Sequence, residues 1–393
     1  MSPDEFQVHD MLCRFSDVLM LAEMKGLMVD QEYLGALSDE LEARLYKIER
    51  ILYTRFGLVN PRSWMQVQAY LASKGIRVSS TDEDHMIMLL RRNIEPEVRE
   101  FIKWLLKHRH YQKQYSTYVK GIFNRLYKGR VHPSFQIHGT TTGRLSCKNP
   151  NLFNIPRESA MRRMFIPTPG RKFVQADYKG AELRVIACEA HDEYLRDLFN
   201  EERDIHNEVA TRFFGPNFTK DQRVRAKAVV FGLGYGREAY SLAQEHDWPL
   251  AEAEAYMAAF FELIPDTARW REDIKQQILH GEDDLRSHFG RHRRIWLVTD
   301  DNVKDVVKEG LAFIPQANAS DITLHAARVL TEEYGLDFRL YVYDSILVEC
   351  DPEDEEDVKH IMGEVMPRVA KEVYSDYVPF AVDVASGDSW GAL

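Results

Sequence analysis

Between Tyr33 and Phe56 the apolar residues Leu34, Leu37, Leu41, Leu45, Ile48 and Leu52 recur at three- and four-residue steps. That spacing predicts a long helix with one buried stripe. Val98 to Val119 carries a second long pattern of helical character, and a polar stretch joins the two. Together they predict an arm. From Gly121 to Phe135 the chain shifts to short apolar runs with Gly129 and Pro133, which predicts a hairpin at the entrance to a sheet-based domain. Phe173, Val174 and Ala176 form a short apolar run ending at Asp177, and helical spacing resumes from Ala181 to Ala190 after Lys179-Gly180. A strand, a turn and a helix are expected there. Residues from about 193 to 280 return to helical patterning, whereas Leu285 to Val298, with Gly290 and alternating basic and apolar positions, predicts strands. Phe338 to Cys350 reads as a strand, a tight turn and a strand. No internal repeat or low-complexity linker separates these parts, so they are expected to pack against one another.

At 393 residues with 45% hydrophobic and 11% aromatic content, the chain has material for two or three domains around a sizeable core. Its N-terminal apolar stretches are broken by Asp10, Arg14, Asp17, Glu23 and Lys25, which fits neither a signal peptide nor a membrane span. A soluble cytoplasmic protein is expected. Cys13, Cys147, Cys188 and Cys350 lie far apart with no CxxC pair, which argues against a zinc site or a disulfide framework and for reduced, buried thiols.

The net charge of -11 by itself argues against nucleic acid. Its distribution along the chain points the other way. Between Arg91 and Arg130 eleven Lys/Arg stand against three Glu, interleaved with Trp104, Tyr111, Tyr115, Tyr118, Phe123 and Tyr127, while acidic residues collect at Asp351 to Asp357. The run alone fits a solvated helix face equally well.

Asp177 ends an apolar strand beside a helix start, a natural setting for a metal ligand. A two-metal site needs a second carboxylate, and Asp344 is the best candidate. It lies in Leu340-Tyr-Val-Tyr-Asp344-Ser-Ile-Leu-Val348, where a hairpin turn would present it beside the Asp177 strand. A turn aspartate capping its own backbone is the plainer reading of Asp344 taken alone. Arg223, Lys227 and Phe231, four residues apart, share one helix face, with Tyr235 near the Gly-rich end. Two cations at that spacing repel by a few tenths of a kcal/mol in an isolated helix, roughly the deficit a bound triphosphate would offset. Phe231 offers a flat face to a sugar and base.

These segments resemble the motifs of family A DNA polymerases. The family's Asp-Tyr-Ser-x-x-Glu-Leu-Arg is matched by Asp177-Tyr178-Lys179-Gly180-Ala181-Glu182-Leu183-Arg184, and its Arg-x-x-x-Lys-x-x-x-Phe/Tyr-Gly-x-x-Tyr-Gly by Arg223 to Gly236. The block Thr140-Thr-Thr-Gly-Arg144-Leu-Ser, running on to Glu158, is equally specific, and the similarity extends from about Leu21 to Trp390. The resemblance implies an α+β right-hand fold with helical thumb and fingers and an antiparallel-sheet palm. Its parts would be a lead-in helix at 1–30, the thumb at 31–120, the palm at 121–192 and 285–393, and the fingers at 193–284. It implies template-directed extension of a primer by dNTPs, with two Mg²⁺ held by Asp177, Asp344 and the backbone carbonyl of Tyr178.

Further roles follow from the same resemblance. Glu182 would sit under the incoming sugar and exclude ribonucleotides, and Phe231 in place of tyrosine would favour a substrate bearing a 3'-hydroxyl. His206 would touch the triphosphate, with Arg223 and Tyr235 also binding the nucleotide. Lys227 would neutralise, and could protonate, the departing pyrophosphate. Arg144, Asn151 and Gln316 would contact DNA, Arg144 and Gln316 in the minor groove. The family's Val-His-Asp-Glu is here Val342-Tyr343-Asp344-Ser345, and an asparagine common upstream of Gln316 is replaced by Ala312. His191-Asp192-Glu193 is read as a solvated helix end. Primer-template DNA, dNTPs and replication accessory proteins are the expected partners of a monomer. With some thirty residues before the arm, too few for a proofreading exonuclease, a polymerase without intrinsic proofreading is expected, and the compact form leans towards a phage or plasmid, an excised fragment being an equal reading. The rival readings are a metal-dependent phosphohydrolase or nuclease, suggested by His9-Asp10 and His191-Asp192 with His138 and His206, a catalytically dead DNA-binding module, and a single-subunit RNA polymerase.

Overall fold

The computed structural model describes residues 3–157, 160–234, 236–281, 284–295 and 297–393. Its centre is a four-stranded antiparallel sheet in the order Val382–Gly387, Lys172–Tyr178, Ser345–Cys350, Asp337–Val342. The expected strand, turn and strand at 338–350 is present. The turn places Ser345 opposite Asp177, and on the other side Asp383 pairs with Asp177. The Tyr178 amide donates to the Asp344 carbonyl at 3.1 Å, which ties the turn to the end of the neighbouring strand. Phe173, Val174 and Ala176 are fully buried, the helix Glu355–Tyr374 packing on their strand and Val303–Glu332 on the two strands to one side of it, which is why this run is continuous rather than alternating. After Tyr178 the chain turns through Gly180, at φ 59°, into the helix Ala181–Glu189. A residue with a Cβ disfavours that left-handed conformation.

The arm begins with the helix Gln31–Phe56. Asp30 accepts the Tyr33 amide at its start and Gly57, at φ 68°, ends it. Its buried stripe is the one read from the sequence, and that stripe serves two cores. Leu34, Leu37, Leu41 and Leu45 join the main core, whereas Ile48, Leu52 and Phe56 pack with Val98, Phe101, Ile102 and Leu105 of the helix Pro96–Lys113. Two features differ from expectation. The polar stretch between the long helices holds two short ones, Trp64–Ser73 and Glu83–Arg91, whose Val67, Leu71, Met86 and Leu89 complete the outer core. Helices of ten and nine residues show too few turns for a period to stand out. The second long pattern is also not one α-helix. Residues Gln114–Val119 form a π-helix, and Tyr115, Tyr118 and Val119 turn into the main core.

The hairpin expected at 121–135 is mostly replaced by long-range pairing. Only Tyr127 and Arg130 bridge across a turn at Lys128-Gly129, while Arg130–Val131 pairs with Leu27–Val29 and Ser134–Gln136 with Ser146–Lys148. Among the described residues six helices between Glu193 and Leu279 form a lobe that packs on the helices Ala181–Glu189 and Val303–Glu332, followed by the hairpin Asp284–Arg286 with His292–Arg294. The helix Pro3–Lys25 packs on the sheet, where Phe15 meets Phe338 edge-on at 6.1 Å. Cys13 is exposed, contrary to expectation, and the other three cysteines are free and buried. Asp192 is not solvated either. It is fully buried, capping Glu193–Asn200 through the Leu195 amide and accepting the amide and hydroxyl of Thr267 at 3.0 and 2.9 Å. Among the described residues no helix is long and apolar enough to cross a membrane.

Candidate active site

A cleft of about 1170 Å³ opens over the sheet ends, lined among others by Asp177, Asp344, Glu182, Arg144, His206, Lys227, Phe231 and Tyr343. The two aspartates are brought together by strand register. Burial pushes the Asp344 carboxyl up to about 7, and the neighbouring Asp177 charge adds to the effect. Burial also raises Asp177, opposed by Arg157, whose Nη2 lies 2.9 Å from Oδ2. Two half-buried acids that repel each other are stabilised when a cation neutralises them.

Among the described residues no group of three or more His, Cys, Asp or Glu side chains converges as a metal site. Of the carboxylates lining the cleft, Glu182 is paired with Arg144 and Asp383 with Lys179, so the donors on hand are Asp177, Asp344 and main-chain oxygens such as that of Tyr178. This set suits Mg²⁺, which commonly takes one or two carboxylates and completes its shell with water and substrate phosphate oxygens.

On the facing wall, the helix Lys220–Gly234 presents Lys227 and Phe231 to the cleft. Lys227 Nζ stands 5.4 Å from the Phe231 ring centroid, and the His206 ring stacks on Phe231 at 5.8 Å. Burial, with Arg223 and Lys227 nearby, holds His206 below its ordinary pKa, so its imidazole is neutral at neutral pH. Arg223 does not line the cleft. Its guanidinium is tied 2.6 Å from Asp204 Oδ2 and 2.6 Å from Asn207 Oδ1, the former also capping the helix Ile205–Phe214. Tyr235 lies outside the described residues.

Arg144 forms an ion pair with Glu182 and lies 5.4 Å over the Tyr343 ring. Burial raises the Glu182 carboxyl and Arg144 lowers it. The loop carrying Arg144 is braced from below. A Cβ on Gly143, at φ 77°, would come within 2.6 Å of the Arg291 guanidinium, which holds the fully buried Asp321 at 2.7 Å. The other two expected DNA contacts stand apart from the cleft lining. Gln316 is buried in the helix Val303–Glu332, and Asn151 spends its side-chain oxygen capping Leu152–Asn154 through the Phe153 amide.

Sequence reasoning missed Arg157, the Arg291–Asp321 pair and Asn318. The last is fully buried, accepting the His288 amide and donating to Glu189 Oε1 at 2.8 Å, with Tyr374 on the same oxygen. Asp321 carried a signal: an acid inside an apolar helical run needs a cation. Arg157 and Asn318 had none, because their partners are remote in sequence. The His-Asp pairs behind the hydrolase reading do not converge. His9 touches Cys13, His191 is exposed and His206 stacks on an aromatic ring.

A family model described as DNA polymerase family A matches residues 31–392. The thermostable DNA polymerase I of Thermus aquaticus is 32% identical over 398 residues, covering 95% of this chain and 47% of that protein. DNA polymerase I of Chloroflexus aurantiacus is 32% identical over 421 residues, covering 98% of this chain and 44% of that one. The chain thus spans about half the length of the curated relatives it matches. A solved structure of the POL domain of Pol1 from M. smegmatis, in complex with DNA primer-template and dNTP, has a TM-score of 0.87 and 27% identity, covering 97% of this chain and 70% of that one.

Proposed function

Because the chain belongs to DNA polymerase family A, we propose that it is a DNA-directed DNA polymerase, extending a primer 3' end with the dNTP that the template selects. The observation that carries this reading is the pair Asp177 and Asp344, joined by register and facing Lys227, Phe231 and His206 across one cleft. Its partners are then primer-template DNA and dNTPs, with accessory proteins in replication, and its place the cytoplasm.

In this reading residues 31–120 are the thumb, 121–192 and 285–393 the palm, and 193–284 the fingers, with 1–30 leading in. Asp177, Asp344 and the Tyr178 carbonyl would hold two Mg²⁺, which would supply charge stabilisation to the attacking and leaving oxygens. The primer 3'-hydroxyl gives up its proton to solvent as its oxygen attacks the α-phosphorus in line, the bond to the bridging oxygen breaks, and pyrophosphate leaves. Lys227 faces the leaving group as a charge partner and proton donor. Phe231 and His206 form a stacked platform for the nucleotide, and Glu182, fixed by Arg144, fills the space under the sugar. Arg223 and Tyr235 serve the triphosphate, Arg223 after exchanging Asp204 for phosphate. Arg144, Asn151 and Gln316 serve the duplex. Tyr343 and Ser345, standing where the family has His and Glu, leave the two aspartates as the acidic ligands.

Primer extension on a defined template tests this reading, with Mg²⁺ and either dNTPs or NTPs. Extension with dNTPs that is lost in Asp177→Ala and in Asp344→Ala is expected. Nucleotide or DNA hydrolysis without extension, or extension only with NTPs, would overturn it.

A further inference from the structure

We propose that the arm and the helical lobe lock together through Arg91, so that thumb, palm and fingers form a closed collar around the DNA; this rests on the polymerase reading above. Arg91 ends the helix Glu83–Arg91 of the arm. Its guanidinium donates to the carbonyls of Gln244 at 2.5 Å and Glu245 at 3.1 Å, and lies 3.9 Å from Asp247 Oδ1. Those carbonyls close the helix Ala239–His246 of the lobe, which stops at Asp247 in the left-handed conformation. The last carbonyls of a helix lack intrahelical donors and carry the negative end of its dipole, so an arginine entering there is doubly favoured.

Both sides of the joint are built. Arg99 donates to the carbonyls of Leu90 and Arg92 at 2.6 and 2.9 Å, clamping the backbone on either side of Arg91. The receiving helix is seated by Leu242 and Ala243 in the main core. Among the described residues no apolar cluster crosses the joint, since Met86 and Leu89 belong to the arm core and Leu242 and Ala243 to the main one. A contact made of hydrogen bonds and charge alone opens at little hydrophobic cost. The inner half of the arm and the lobe both join the main core, and Arg91 links their outer ends, so contacts run unbroken from that core along the arm, over Arg91 and back through the lobe. In the proposed collar a DNA strand leaves only by threading an end or by opening the joint.

Cys13 is exposed and the other cysteines are buried, so Cys13→Ser with Arg92→Cys and Gln244→Cys, both at exposed positions, leaves two reactive thiols, one on each side, with Arg91 still in place. A short bis-maleimide joins them. Retention on primed single-stranded DNA circles and on linear primer-template is followed by gel filtration in high salt. Protein cross-linked before mixing should fail to load on circles yet thread linear DNA, and protein cross-linked after loading should stay on circles through the salt wash. Absence of a cross-link, or loading of pre-linked protein on circles at the uncross-linked rate, would overturn the collar. In otherwise unchanged protein, Arg91→Ala should release primed circles roughly tenfold faster, the factor expected for about one net hydrogen bond. An unchanged release rate would also overturn it. Retention is read without nucleotides, so a protein that closes on DNA but never extends a primer would sink the polymerase reading and leave the collar standing.

Discussion

Arg157 Nη2 lies 2.9 Å from Asp177 Oδ2, so a guanidinium stands at one of the two acids on which a divalent cation would act. The Arg157 side chain is 70% exposed, and a pair of that kind is worth ~0.5–1 kcal/mol. Arg157→Ala should therefore tighten Mg²⁺ binding by about two- to fivefold at pH 8. Thermal stability followed against Mg²⁺ concentration reads this as a lower midpoint. An unmoved midpoint would show that Arg157 does not compete.

The pKa of Asp344 carries a sign for stability. Its folded value, raised by burial and by Asp177 to about 7, lies above the ordinary 3.8. Between those values the folded chain binds more protons than the unfolded one, so without divalent cations stability falls as pH rises through that window and levels off above it. The loss is on the order of a few kcal/mol. Asp344→Asn should flatten the dependence and raise the melting temperature at pH 8 in EDTA. Parallel pH profiles for the two proteins would refute the assignment.

Glu182→Ala leaves Arg144 without its carboxylate and, in the proposed site, empties the space under the sugar. Ribonucleotide incorporation relative to dNTPs should rise by about 10–100-fold, the range over which a single pocket contact discriminates. Competition assays with matched dNTP and NTP measure it directly. An unchanged ratio means that the sugar lies elsewhere.

Asp192 ties together the starts of two helices, Glu193–Asn200 and Pro265–Leu279, its buried carboxylate accepting from Leu195 and twice from Thr267. Asp192→Ala should destabilise the chain by about 2–4 kcal/mol, the sum of a lost cap and unmade buried hydrogen bonds. Urea unfolding is the measurement. A cost under half a kcal/mol, roughly that of an ordinary surface substitution, would return the residue to the solvated class.

Local periodicity made the skeleton legible. The Gln31–Phe56 stripe, the strand ending at Asp177 and the hairpin around Asp344 each depend on spacing within a dozen or so residues, and each is where the pattern put it. Contacts made across the chain were not. The pairing of Arg130–Val131 with Leu27–Val29, the hold of Arg157 on Asp177 and the brace of Arg291 under Gly143 join separate segments, and nothing in either segment encodes the other. Asp192 shows a second kind of blindness. His-Asp-Glu has the composition of a solvent face, and only the arrival of Thr267 makes its middle residue internal. Arg223 shows a third: its spacing put it on one stripe with Lys227 and Phe231, yet Asp204 draws it aside.

The six-residue π-helix at Gln114–Val119 fixes the phase between the two cores of the arm, because its bonds run one residue further than α-helical ones, as in Lys120 N–H to the Tyr115 carbonyl. One residue of winding corresponds to about 100° about the helix axis. Removing a single residue there would restore ordinary pitch, yet swing Tyr115, Tyr118 and everything beyond them out of azimuth with the sheet. That short segment is thus a length standard, and insertions or deletions within it aim the whole limb rather than merely lengthen or shorten it.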